Sequence, residues 1–169
     1  MKRFALLVGL AGVLVLPWSL ASAGGKPSRE PLPNELNSFD FAAGLACSFE
    51  LAGEPVISKE VVTTYPADAN GDVKTEITGR LVARLTNVDT GTSIVRNLSG
   101  PVTIVIHPDG SHSDEFRGIG LLSLFPTDVP AGPTTLIVYG RFTGTLSPSG
   151  QFTVTSLSGR TEDVCAELS

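Results

Sequence analysis

The alternation of apolar and polar side chains most restricts the fold of this chain. From Phe39 onward, apolar residues recur at every second position in short runs that Gly, Asp, Asn or Pro interrupts. In the clearest run, residues 81–86, the odd positions would face a core while Arg84 and Thr86 face water. Outside the N-terminal segment, no stretch has the spacing of three and four that an amphipathic helix needs. The pattern predicts an all-β protein.

The N-terminus has the order of a secretory signal peptide. Lys2 and Arg3 precede an apolar run, residues 4–16, and Pro17 and the small residues Ala21-Ser22-Ala23 follow it. The run is shorter than the roughly 20 residues that cross a bilayer, so an uncleaved anchor is the less favoured alternative. We expect cleavage after Ala23 and release of a secreted, extracellular protein.

The two cysteines, Cys47 and Cys165, would then enter an oxidising compartment. They lack CxxC spacing and are too few for a structural zinc site, which favours a disulfide between them. The alternative is two free or intermolecular thiols.

Short turns between successive runs favour an antiparallel meander. Ten strands are predicted, at residues 45–52, 56–65, 73–77, 81–86, 93–98, 102–106, 111–116, 119–125, 134–142 and 151–157. A disulfide between Cys47 on the first strand and Cys165 beyond the last would bring the ends of the meander together. We therefore predict a small up-and-down β-barrel, with a two-sheet β-sandwich as the alternative.

The chain divides into three segments by composition. Residues 1–23 form the signal peptide, and residues 24–38, with three prolines and no apolar period, are predicted to be a flexible arm. Residues 39–169 are predicted to form one β-domain. Removal of residues 1–23 leaves a formal charge of −7. Such an anionic surface repels phosphate groups, so we expect neither nucleic acid nor a membrane as a partner.

Three stretches of this sequence resemble small exported proteins of actinobacteria. These are TGRLVARLTNVDTGTSIVRNLSGP, HPDGS and the terminal DVCAEL. The resemblance covers most of the chain after residue 23. It implies no activity, and no functional residue is carried over from it.

The two histidines, His107 and His112, flank Pro108-Asp109-Gly110-Ser111. A two-residue hairpin loop would place both imidazoles on one face with Asp114, as a weak candidate metal site. Pro108 instead suits the second position of a type I turn, with Gly110 in a bulge. The bulge would shift the register by one residue and send the imidazoles to opposite faces, so we predict no metal site.

Other motifs for chemistry are incomplete. Asp68, Asn70 and Asp72 alternate as in a calcium loop, but Val73 and Gly79 occupy the positions that need Gly and Glu, which favours an acidic turn. No serine lies in a G-x-S-x-G motif, and any histidine base would have to be His107 or His112. No cofactor motif and no catalytic residue is identified.

The segment 119–125 is apolar at successive positions. A strand buried on both faces is the favoured explanation. The alternative is a rim that exposes Leu121, Leu122, Leu124 and Phe125 to a ligand. The sequence thus favours a non-enzymatic extracellular domain that binds a partner or a small apolar ligand. A secreted hydrolase or a barrel isomerase, with its active site in the barrel mouth, is the alternative.

Overall fold

The structure, a computed structural model, describes residues 25–169, and the predicted signal peptide lies outside them. Nine strands, one 3-10 helix and one short α-helix form the described part of the chain. They are β1 (Ser28–Pro31), the 3-10 helix (Asn34–Asn37), β2 (Phe39–Phe41), β3 (Leu51–Thr64), β4 (Val73–Asn87), β5 (Ser93–Asn97), β6 (Val102–Ile106), β7 (His112–Leu124), β8 (Thr134–Leu146), β9 (Phe152–Asp163) and α1 (Val164–Glu167). The predicted all-β class is confirmed.

All nine strands belong to one antiparallel sheet. The order along the sheet is β1-β3-β4-β6-β7-β8-β9, while β2 pairs with β3 and β5 with β4 beside this path. Most neighbours in the sheet are also neighbours in the sequence, as the short turns predict. Two meander neighbours, β5 and β6, both pair with β4, at residues 82–86 and 73–77 respectively.

The predicted barrel is not formed, because the sheet is open. Strand β3 pairs with β1 through residues 61–64 and with β2 through residues 51–53. Both segments lie along the edge of β3 that faces away from β4, so this edge is not available to β9. Residues 25–169 therefore have no barrel mouth, which is where the alternative hypothesis of a hydrolase or isomerase placed its active site.

The described part of the predicted flexible arm is mostly regular structure. Residues Ser28–Pro31 form β1, which pairs with residues 61–64 of β3, and a 3-10 helix follows at Asn34–Asn37. Leu32 is buried, and its backbone N–H donates to the carbonyl of Glu60. Prolines at an edge strand need no ladder donor, so the proline content that suggested a flexible arm is compatible with an edge strand.

Strands β4 and β7 are continuous where the sequence predicted two separate strands each. Gly79 lies inside β4 opposite Glu60, and Gly118 lies inside β7 opposite Gly140. Glycine is common in turns, but at Gly79 and Gly118 the pairing with the neighbouring strand continues on both sides of the glycine. A glycine alone therefore did not locate the strand ends.

The apolar side chains form two clusters. The first is centred on buried residues of β3, β4, β7 and β8, including Leu51, Leu85, Leu121 and Ile137, and it is closed by the β2–β3 connection and by α1. The second joins β7, β8 and β9, with Phe116 stacked on Phe142 at 4.2 Å between ring centroids. Strands β7 and β8 thus have buried side chains in both clusters.

A disulfide joins Cys47 to Cys165, as predicted, with the two Cα atoms 5.4 Å apart. Cys47 lies in the connection between β2 and β3, not on a strand, and Cys165 lies in α1. The Asp163 carboxylate caps α1 by accepting the N–H of Ala166 at 3.0 Å. The sequence missed α1 because a single turn is too short to show a helical period.

Glycines meet in one row across β7, β8 and β9, where Gly118 pairs with Gly140 and Gly140 with Gly159. A Cβ on Gly140 would lie 2.1 Å from the Ser158 carbonyl oxygen, and a Cβ on Gly159 would lie 2.1 Å from that of Tyr139. Side chains would therefore force β8 and β9 apart at this row.

Candidate functional site

The hairpin between β6 and β7 has the predicted bulged turn. The N–H of Gly110 donates to the carbonyl of His107 at 2.9 Å, and the N–H of His107 donates to the carbonyl of Ser111 at 2.9 Å. Gly110 has a φ of 85°, the left-handed conformation that the bulge requires. Pro108 lies at the second turn position, where its fixed φ fits.

This turn separates the two histidines. His112 pairs with Ile106, so the residue that follows Ile106, His107, faces the other side of the sheet. On its side, His107 contacts Ser113, the residue after His112. The candidate ligands His107, His112 and Asp114 are therefore not brought together. Within residues 25–169, no group of three or more His, Cys, Asp or Glu side chains could hold a metal ion.

His107 instead links two side chains from neighbouring strands. Its Nδ1 lies 3.0 Å from Oδ1 of Asp72, and its Nε2 lies 2.9 Å from Oγ of Ser113. The sheet register explains this chain of contacts, because Lys74, Val105 and Ser113 lie opposite one another on β4, β6 and β7. Asp72 and His107 are two residues from Lys74 and Val105 and so share their face.

The hydrogen-bonding atoms of Asp72, His107 and Ser113 determine which of them donate and which accept. In the His107 tautomer that fits an ionised Asp72, Nδ1 carries the hydrogen and donates a hydrogen bond to the carboxylate, because an ionised carboxylate can only accept. Nε2 is then an acceptor, and the Ser113 hydroxyl donates to it. The side chains of His107 and Asp72 are 31% and 23% exposed, so both side chains are accessible to solvent. Asp72, His107 and Ser113 form the candidate site.

A cleft of about 320 Å³ borders the site. It is lined by Tyr65, Pro66, Asp68, Asp72, Lys74 and Val105. Asp72 belongs both to the cleft and to the hydrogen-bonded chain, and Val105 lies directly opposite Ser113 in the sheet. A molecule in the cleft would contact Asp72 and Val105, which adjoin His107 and Ser113, whereas His107 and Ser113 do not themselves line the cleft.

One wall of the cleft is held by contacts among Tyr65, Lys74 and Glu76. The Tyr65 hydroxyl donates to Glu76 at 2.8 Å, and the Lys74 ammonium donates to Glu76 at 3.0 Å while lying 4.1 Å from the Tyr65 ring centroid. The hydrogen bonds from Tyr65 and Lys74 hold the pKa of Glu76 below its ordinary value. The bond to Glu76 raises the pKa of Tyr65.

Asp68 shapes the turn beside the cleft. Its Oδ1 accepts the backbone N–H groups of Asn70 at 2.8 Å and Asp72 at 3.0 Å, and its carbonyl accepts that of Gly71 at 3.0 Å. These bonds are those of an Asx turn. The alternating acids that resemble a calcium loop are thus the acidic hairpin turn that the sequence favoured.

Asp114 is buried on the opposite face of β7. It is 6% exposed, and its Oδ1 is the only buried side-chain oxygen or nitrogen within residues 25–169 that has no hydrogen-bond partner. Burial raises the pKa of Asp114 to about 7. On the same face, burial lowers the pKa of His112, and repulsion from the protonated form of His107 lowers it further.

The apolar segment 119–125 does not form an exposed rim. Leu121, Leu122 and Leu124 are each 3% exposed, with Leu121 in the first cluster and the other two in the second. Phe125 packs edge to face against Phe41 at 5.2 Å between centroids. The three leucines are therefore core residues on both faces of β7, as the favoured explanation predicts, and Phe125 is half-buried against the first cluster.

Sequence reasoning identified His107 as a possible base but missed its two partners. Asp72 was assigned to a turn, and Ser113 belongs to no recognised motif. The contact with Asp72 depends on the pairing of β4 with β6, which joins segments about 30 residues apart. The contact with Ser113 lies within the β6–β7 hairpin, whose bulged turn the sequence predicted.

Comparisons with protein-family models, curated proteins and solved structures found no match to this chain.

Proposed function

We propose that this chain is an exported extracellular protein that binds a cationic group in the cleft beside Asp68 and Asp72. Two observations support the extracellular location: the signal-like N-terminal sequence and the Cys47–Cys165 disulfide, which is typical of oxidising compartments. In the part of the chain that the structure describes, no helix is long and apolar enough to cross a membrane. The expected relationship to actinobacterial exported proteins fits the same location and stays a prediction.

The cleft itself carries the proposal. It is a half-open groove with a volume of about 320 Å³. Two carboxylates, from Asp68 and Asp72, line it, while the charge of Lys74 is balanced by Glu76 at 3.0 Å. The remaining charge is negative, and the walls of Tyr65, Pro66 and Val105 are apolar.

This combination suits a short chain that ends in a cation. The apolar walls would contact the methylene groups, and the carboxylates would pair with the terminal charge. A lysine or arginine side chain of a partner protein has this chemistry. The formal charge of −7 on the chain after residue 23 would also attract a basic partner.

A titration with Nα-acetyl-arginine amide tests the proposal. Amide resonances of Asp72, Lys74 and Val105 should shift saturably, with a Kd on the order of 1 mM, as expected of about 4 kcal/mol from one paired charge and a small apolar contact. The measurement is a series of two-dimensional NMR spectra of the labelled protein.

Asp68→Asn is the informative variant, because asparagine keeps the Oδ1 acceptor that holds the turn while losing the charge. It should weaken binding several-fold, whereas Asp40→Asn, an exposed acid on β2, should not. Equal weakening by both variants, or shifts spread evenly over the acidic surface, would show attraction without a site and contradict the proposal.

A further inference from the structure

The contacts of Asp72, His107 and Ser113 are those of a nucleophilic serine with its base. In that arrangement, serine donates to one imidazole nitrogen, and a carboxylate accepts from the other. Here the distances are 2.9 and 3.0 Å, and each contact uses the correct ring nitrogen of His107. We propose that Ser113 is an acyl-accepting nucleophile that hydrolyses activated esters, with His107 as its general base and Asp72 as a positioning residue.

The position of the three residues in the sheet favours this role. Ser113 is on β7 between the paired strands β6 and β8, while Asp72 and His107 immediately precede β4 and follow β6. Residues on or beside paired strands are held more rigidly than residues on long loops. The three side chains are therefore already in reacting geometry, so little rearrangement is needed before reaction.

The reaction balances with water as the only co-reactant. The Ser113 oxygen bonds to the acyl carbon while its proton moves to Nε2 of His107. The bond from the acyl carbon to the leaving oxygen then breaks, and His107 gives that proton to the oxygen, which departs as an alcohol or a phenol. In the second half, water attacks the acyl-serine, its proton moves to His107 and then to Ser113, and the carboxylic acid is released.

The surroundings of Ser113 limit the substrate class. Its backbone lies between two paired strands, so its N–H is used in the sheet and cannot stabilise a developing oxyanion. Loss of one such donor costs roughly 100-fold to 1000-fold in rate. Amides and alkyl esters need this stabilisation most, whereas aryl esters have a leaving group that departs readily. The geometry therefore points to aryl esters.

The cleft offers a place for such a substrate. Val105 lies opposite Ser113 on the neighbouring strand and also lines the cleft, as does Asp72. An acyl or aryl group seated there would lie on the face of the sheet that carries Ser113. This proposal does not depend on cation binding, because the tests use neutral reagents and leave Asp68 unchanged.

Covalent labelling is the direct test. The full chain after residue 23, with its disulfide formed, is incubated with a fluorophosphonate, and the modified residue is located by peptide mass spectrometry. We expect one adduct, on Ser113.

The two histidines of the hairpin give a matched pair of variants. His107→Gln should slow labelling about 100-fold, the lower end of the usual effect of a general base. His112→Gln, on the opposite face, should leave the rate unchanged. Ser113→Ala should abolish labelling, whereas Ser93→Ala, at an exposed serine of β5, should not. Hydrolysis of p-nitrophenyl acetate, measured on the same variants, should follow the same order.

Folding of each variant is checked by its melting temperature and circular dichroism. A folded wild type that gives no adduct, or an adduct at another residue, overturns the proposal. So does an unchanged rate in a folded His107→Gln variant, since the three side chains would then only connect β4, β6 and β7. Failure of arginine-amide binding with retained labelling would overturn the proposed function alone.

Discussion

At the end of the sheet that carries the Cys47–Cys165 disulfide, buried polar groups are paired, whereas at the opposite end, which carries the hairpin of His107, one is not. At the disulfide end, Asn87 donates to the carbonyl of Leu168 at 3.0 Å, and Thr135 donates to that of Ala46 at 3.1 Å. At the hairpin end, Asp114 is buried with one oxygen that has no partner.

The features that stabilise the fold and the polar groups of the candidate site thus lie at opposite ends of the sheet. The disulfide end combines the first apolar cluster with a covalent bond, while the hairpin end holds the cleft, the Asp72-His107-Ser113 chain and the buried Asp114. A buried carboxylate without partners costs free energy of folding. The domain therefore carries this cost at the hairpin end, while the disulfide contributes stability at the other end.

Removal of the disulfide should have the largest effect. The two cysteines are 118 residues apart, and closing a loop of this size restricts the unfolded chain by about 4 to 5 kcal/mol in the chain-entropy model. The variant Cys47→Ala with Cys165→Ala should lose about this much in urea unfolding followed by far-UV circular dichroism. Reduction of the wild type should give a similar loss. A loss below about 1 kcal/mol would mean that the noncovalent contacts alone hold the disulfide end.

The pH dependence of stability should reveal Asp114. The unfolded chain releases this proton near the ordinary pKa of 3.8, but the folded chain keeps it up to about 7. Between these values the folded state binds the extra proton, so the Asp114 contribution to stability falls as pH rises and is fully lost above about 7.

Comparison with Asp114→Asn isolates this contribution from other titrating groups. The stability of the wild type relative to the variant should fall between pH 4 and pH 8 by up to about 4 kcal/mol, from about three pKa units at about 1.4 kcal/mol each. Chemical unfolding at several pH values measures the difference. A difference that is constant with pH would show that the folded carboxyl titrates normally.

The histidines should give the smallest effects and should differ from each other. His107→Ala breaks the contacts with Asp72 and Ser113 and should cost about 1 kcal/mol. His112→Ala should cost a few tenths of a kcal/mol, because no side-chain hydrogen bond of His112 is lost. Thermal unfolding of both variants, with wild type as reference, makes the comparison. Equal costs would remove the evidence that the His107 contacts persist in solution.

Zinc should leave the melting temperature of the wild type unchanged, since His107 and His112 face opposite sides of the sheet. A stoichiometric rise that either histidine variant abolishes would contradict this placement.

The sequence predicted the local features well. The alternation of apolar and polar residues predicted most of the strand segments. Pro108 and Gly110 predicted the hairpin turn, because proline has a fixed φ and glycine readily adopts a positive φ. The cysteines gave the disulfide because they had only each other as partners. The strand and turn predictions depend on residues close in sequence, and the disulfide prediction depends on the number of cysteines.

Features that depend on long-range pairing could not be predicted in this way. The open sheet follows from β1 and β2 both pairing with β3, and no local pattern encodes that choice. The meeting of Asp72 with His107 follows from the pairing of β4 with β6. The burial of Asp114 follows from the packing around β7. The sequence contained one signal of it, because Asp114 occupies a core-facing position in an alternating run.

The glycine row constrains which insertions and deletions the chain can accept. Gly118, Gly140 and Gly159 meet only while β7, β8 and β9 keep their register. A one-residue deletion in β8 or β9 between the row and a hairpin would move Gly140 or Gly159 out of alignment and place a side chain where a backbone oxygen lies about 2.1 Å from its Cβ. Length changes within the turn at 147–151 leave the row intact, because the strands on both sides are unchanged. Variation in chain length should therefore concentrate in the turns.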